Sequence, residues 1–100
     1  MGAVTFDCVA EGADVNQAFK NAKEDASLYS SPDYIAPILK KTNFLLCSQS
    51  IVDRDIAYKI ADDILDGAIS TYSSISNKYG PAGCIQITSN QFIFFGWVAD

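Results

Sequence analysis

The chain contains no histidine. Imidazole is the usual general base near neutral pH and the centre of Ser-His-Asp and Cys-His constellations, so catalysis built on it is excluded. Ser73 and Ser74 offer hydroxyls with no base to activate them, and no enzymatic activity is expected. Cysteine is scarce. Cys8, Cys47 and Cys84 lie far apart, with no CxxC and no Cys/His spacing. An odd number of isolated thiols argues against a disulfide framework and against a zinc site, and no metal or other cofactor is expected. Buried free thiols in a reducing cytoplasm are the plain expectation. No apolar run approaches the ~20 residues that a membrane-spanning helix needs. The opening Met1-Gly2-Ala3-Val4-Thr5-Phe6 lacks a basic stretch followed by an apolar one, so no signal peptide is expected. Phe6 also stands where a myristoylation signal prefers Ser or Thr. Basic residues are few, 7 against 12 acids, for a net charge of −5. General binding to a nucleic-acid backbone needs clustered Lys and Arg and is disfavoured. A small anionic ligand is not, because two or three placed cations and backbone N–H groups suffice for one.

What the chain has in quantity is apolar side chain, 49% of its 100 residues. That is enough for one folded domain over 1–100 with a core of its own. Ala3 to Ala10 alternates, with Val4, Phe6 and Cys8 on one side, and predicts a half-buried strand. Asp14 with Gln17 three residues on is a capping-box pattern. Val15, Ala18, Phe19, Ala22, Ala26 and Tyr29 then keep helical spacing, which predicts a helix over about 14–29. Pro37 interrupts any helix in the next stretch, so a loop or irregular edge strand is expected from Tyr34 to Lys41. Asn43 to Ser48 predicts a short buried strand. Asp53 is an N-cap for a second helix whose apolar period runs from Ile56 to Ile75. Gly67 weakens that helix without ending it. Cys84–Thr88 and Phe92–Val98 predict two strands joined by a hairpin turn at Ser89-Asn90-Gln91. The order β-α-β-α-β-β predicts an α+β fold, a mainly antiparallel four-stranded sheet with two helices on one face.

The last strand sits awkwardly in that scheme. Phe92 and Phe94 face one way; Ile93, Phe95 and Trp97 face the other. A strand apolar on both sides is buried on both. With both helices on one face, the other must be covered by the 30–42 segment or by a second copy of the chain, and a homo-oligomer is expected.

Two sets of residues are candidates for binding. Tyr34 and Trp97 supply aromatic faces, Lys40, Lys41 and Lys78 supply cations, and the Gly80-Pro81-Ala82-Gly83 turn brings backbone close to a ligand. Aromatic face plus cation is what a nucleotide base and phosphate require. Pro81 removes one N–H donor from the turn, and helix-to-strand connection is its plain structural role. Asp62, Asp63 and Asp66 form an acidic set on the second helix. They read first as solvated helix charge; as a site, they would meet a basic cleft on a partner protein.

The opening Gly-Ala-Val-Thr-Phe, the Ala18-Phe19 and Ala22 pattern with Glu24-Asp25-Ala26, and above all "KYGPAGCIQI…FIFFGW" resemble a family of small bacteriophage and prophage proteins. In that family a Gly-Pro-Ala-Gly turn precedes a strand, and an apolar Phe-Phe-Gly-Trp strand closes the chain. Ser31 to Pro37 departs from the family's glycine-rich loop; only Tyr34 fits. The resemblance implies a phage protein acting in the cytoplasm of an infected bacterium, where many such proteins counter host immunity. It implies three roles: sequestering a nucleotide-type immune signal without cleaving it, inhibiting a bacterial defence protein through the acidic face, or a structural role in the phage.

Overall fold

The structure, a computed structural model, describes residues 2–31, 35–48 and 50–99. Its elements are β1 (Ala3–Glu11), α1 (Val15–Ser27), β2 (Phe44–Leu46), α2 (Arg54–Leu65), β3 (Ala82–Gln86) and β4 (Gln91–Ala99), with short 3₁₀ turns at Pro37–Lys40 and Ser70–Tyr72. The predicted order and the α+β class are both observed.

Local chemistry sets the helix ends. Asp14 is extended, and its carboxylate accepts from the Gln17 N–H at 2.9 Å, satisfying one orphan donor of α1. The Gln17 amide turns forward to Asn21 instead of back to Asp14, so half of the capping box forms. Asp53 caps α2 through the Asp55 N–H at 3.2 Å. The second helix stops ten residues short of Ile75, where the apolar period alone would carry it. Gly67 adopts φ 81°, its N–H bonds the Ile64 carbonyl, and the Ala68 N–H bonds the Asp63 carbonyl. That pair of bonds is a Schellman cap, and glycine's access to the left-handed region makes it favourable. Pro37 opens a 3₁₀ turn where a loop or irregular edge strand was expected. At a first-turn position its missing N–H has no intrahelical partner to lose.

The sheet order is β1-β4-β3-β2. β4 pairs antiparallel with β1 and with β3, and β2 pairs parallel with β3. Strands β1, β2 and β3 therefore run the same way and β4 opposes them. The connection through α1 crosses the sheet from β1 to the far edge at β2; the connection through α2 returns from β2 to β3. Crossovers between parallel strands are right-handed in nearly all proteins. Two such crossovers in opposite directions across one sheet require helices on opposite faces.

Opposite faces are what the packing shows, in place of the two helices on one face that were expected. Phe92 and Phe94 join Ala18, Phe19 and Ala22 of α1, with Ile38 beside them. Ile93 and Phe95 join Ala57, Ala61 and Ile64 of α2, with Ile75 from the segment after it. Strand parity sends alternate residues of β4 into two cores. The doubly apolar last strand is thus covered on both sides within one chain, and the observation that motivated a homo-oligomer has an internal explanation. On the α1 face, Phe94 meets Phe19 and Phe44 at ring-centroid distances of 5.3 and 5.8 Å, within the range of favourable aromatic pairs.

Gly83 of β3 stands opposite Phe95. A Cβ there would overlap the Phe95 ring, which is fully buried. Gly83→Ala is expected to lower stability by about 1–3 kcal/mol through overpacking, read as a shift in the urea midpoint. An unchanged midpoint would show that the ring has room to move.

Candidate functional site

The predicted cations do come together, but on structural duty. Lys41 is 2% exposed. Its ammonium donates to the carbonyl of Gly80 at 2.8 Å and to that of Lys78 at 3.3 Å. Lys23 donates to the Lys41 carbonyl at 2.7 Å, and Lys40 to the Ala99 carbonyl at 2.9 Å. Lys78 lies over the Tyr79 ring, 5.4 Å from its centroid. Four of the chain's seven basic residues thus share one corner, stapling the Gly80–Pro81 turn to the end of β4. Burial pushes the Lys41 amine below its ordinary pKa of 10.5. The turn glycines serve packing: a Cβ at Gly80 would overlap the Ser74 carbonyl, and Gly83 makes room for Phe95.

Trp97 is not part of that corner. The Lys41 stem passes beside Gly96, on the face that β4 shares with α1, whereas Trp97, one residue on, points to the other face. Its indole N–H donates to the carbonyl of Leu65 at 2.9 Å, satisfying an orphan carbonyl at the end of α2. The sheet separates the indole from the lysines, so stacking on Trp97 and phosphate contact at Lys41 do not belong to one site. Tyr34 lies outside the described residues. Among aromatics near the lysines, Tyr79 is the exposed one, at 79%.

The acidic set is exposed. Asp62 and Asp63 lie in the last turn of α2 and Asp66 is its C-cap. Carboxylates at the negative end of a helix are unfavourable for the helix itself, and no basic residue in that last turn offsets them. Among the described residues no group of acids and thiols converges as a metal site.

A cavity lies elsewhere, at the edge of the sheet between β1, α1 and the Pro37–Lys40 turn. It encloses about 350 Å³ and is lined mostly by apolar atoms. From α1 come Ala22, Asp25 and Ala26, spaced i, i+3 and i+4 and so on one stripe, and Tyr29 follows from the turn after the helix. Phe6 and Cys8 form the strand wall, and Ile38 closes the floor. Small alanines on the helix leave the space that larger side chains would fill. Burial, with a smaller contribution from the Asp7 charge, pushes the Cys8 thiol up to about 11. It stays protonated at neutral pH, an apolar wall group without nucleophilic character. A second, polar hollow adjoins the cavity, lined by Glu11, Asn21 and Glu24, and sharing Val9 and Asp25 with it. The only sequence signal for the cavity is the pair of alanines facing β1, which reads equally as close helix–sheet packing.

No family model matches the chain, and no curated protein or solved structure matches it.

Lys41→Met keeps the apolar stem and removes the donors that satisfy two carbonyls. The expected cost is about 1–3 kcal/mol, measured by chemical unfolding at pH 7. Because the folded-state pKa of Lys41 lies below 10.5, the unfolded chain binds the extra proton between those two values, and native stability gains as pH rises through that window. The stability gap between native protein and Lys41→Met is therefore expected to widen from pH 7 towards pH 10. A gap that narrows would show that the hydrogen bonds to the ammonium outweigh its burial and hold the amine above 10.5.

Proposed function

We propose that the chain is a non-catalytic binding protein whose ligand enters the cavity between β1, α1 and the Pro37–Lys40 turn. The observation that carries this reading is the cavity itself: about 350 Å³, walled by Phe6, Cys8, Ala26 and Ile38, and open beside Tyr29. That volume is within the ~300–1,000 Å³ typical of small-molecule sites. The absence of histidine and a thiol held in its protonated form favour binding over turnover. The resemblance to small phage and prophage proteins sets such a binder in an infected bacterium, where it would counter a host defence by withholding a small molecule from it.

A second reading keeps a nucleotide-type ligand and moves its site. The specific observation in its favour is the lysine corner, where Lys78 lies over the exposed ring of Tyr79 and Lys40 is exposed at the end of β4. The base would stack on Tyr79 and the phosphates would meet Lys40 and Lys78, with Lys41 holding the turn beneath. Inhibition of a defence protein through Asp62, Asp63 and Asp66 rests on their exposure at the disfavoured end of α2.

Ala26→Phe fills the cavity from the helix side without removing a core residue. With N-phenyl-1-naphthylamine, a neutral apolar fluorophore, the native protein is expected to give a blue-shifted, saturable signal of one site per chain. The variant is expected to bind at least tenfold more weakly at an unchanged melting temperature. Equal binding by the two proteins would place the apolar site elsewhere. If instead nucleotide adducts appear in native mass spectra and vanish with Lys40→Ala/Lys78→Ala, the second reading takes precedence.

A further inference from the structure

The walls of the cavity and the charges at its mouth differ in a way that selects a ligand. The charged side chains that α1 brings to the cavity and the adjoining hollow are carboxylates, Asp25 and Glu24; Asp7 and Glu11 border these spaces from β1 with their side chains toward the other face of the sheet. Among the described residues neither space is lined by a lysine or arginine, although four of the seven cations gather at the Gly80 corner. Asp25 belongs to both spaces, so it stands where apolar wall gives way to polar hollow. Tyr29 is four residues on, in the turn that follows α1; it lines the cavity and is still 77% exposed. An aromatic face beside a carboxylate at the mouth of an apolar slot is the arrangement that recognises an organic ammonium, through cation–π attraction on one side and charge on the other.

We infer that the cavity takes an amphipathic organic cation, with the apolar body among Phe6, Cys8, Ala26 and Ile38 and the ammonium at the mouth against Asp25 and Tyr29. The inference rests on the cavity being the binding site, and it adds the chemical class of what binds. Anionic amphiphiles such as fatty acids are rejected by the same carboxylates. Glu24 extends the field outward, so the preference weakens as salt screens it.

The test uses three probes with one chain length and different heads: octyltrimethylammonium, 1-octanol and octanoate, each titrated calorimetrically below micelle formation at low salt. The cation is expected to bind at least tenfold tighter than the alcohol, and octanoate weakest of the three. Asp25→Asn is expected to cut the cation's lead over the alcohol to threefold or less. Tyr29→Leu is expected to weaken the cation more than the alcohol. Equal binding of cation and alcohol would overturn the charge selection and leave the cavity reading standing. Tighter octanoate binding, or a lead that Asp25→Asn does not change, would overturn it as well. If no octyl probe binds while N-phenyl-1-naphthylamine still does, the cation inference falls alone; if that fluorophore fails too, the cavity reading falls with it.

Discussion

The position of β4 between β1 and β3 is the constraint on which the rest depends. This nine-residue strand pairs with β1 along its whole length and with β3 over Phe92–Phe95, and its side chains divide by parity between two faces. Because Phe92, Ile93, Phe94 and Phe95 are all large and apolar, both faces need a cover. The chain supplies one from each crossover, α1 against Phe94 and α2 against Phe95. Glycine appears at the points of tightest approach: Gly83 admits the Phe95 ring, and Gly96 lies beneath Phe6 and the Lys41 stem. Trp97 extends the same logic to the end of the strand, where its indole secures the Leu65 carbonyl at the end of α2.

Two helices on opposite faces leave different margins. On the α2 side the cover centres on β3 and β4, and Thr5, Asp7 and Val9 of β1 remain open to solvent. On the α1 side the helix reaches β1 but approaches it with alanines, and the Pro37–Lys40 turn closes the far end. A cavity follows from that small-residue contact. The lysines, meanwhile, are drawn to the opposite requirement: unpaired carbonyls at the Gly80 turn and at the end of β4. Charge is thereby sorted across one face, with cations at the turn and carboxylates at the cavity.

Much of the fold was legible because its signals are local. Asp14 and Asp53 announced the two helix starts, the alternation of β1 was plain, and the run from Phe92 declared a strand buried on both sides. The placement of α2 was not legible, since it depends on strand order, and nothing local says that β4 inserts between β1 and β3. Gly67 was misjudged because an apolar period continuing to Ile75 looks the same whether the segment after the glycine is helical or folds back to pack against α2. The site was harder still. Lys41 in sequence is one of two adjacent lysines, and only the fold shows its amine turned inward onto Gly80. Parity alone could have separated Trp97 from its neighbours' face, but not from a lysine fifty-six residues earlier. The cavity arises from what Ala22 and Ala26 fail to fill, and an unfilled volume has no residue to mark it.

The central claim is that a single chain covers both faces of β4, with α1 on one and α2 on the other. The direct measurement is a set of nuclear Overhauser contacts from the Phe94 and Phe95 rings in dilute solution, where any self-association is suppressed. The account predicts contacts from Phe94 to Phe19 and Phe44 and from Phe95 to the Ala57, Ala61 and Ile64 methyls. Contacts from both rings to the same helix, or contacts that disappear on dilution, would contradict it.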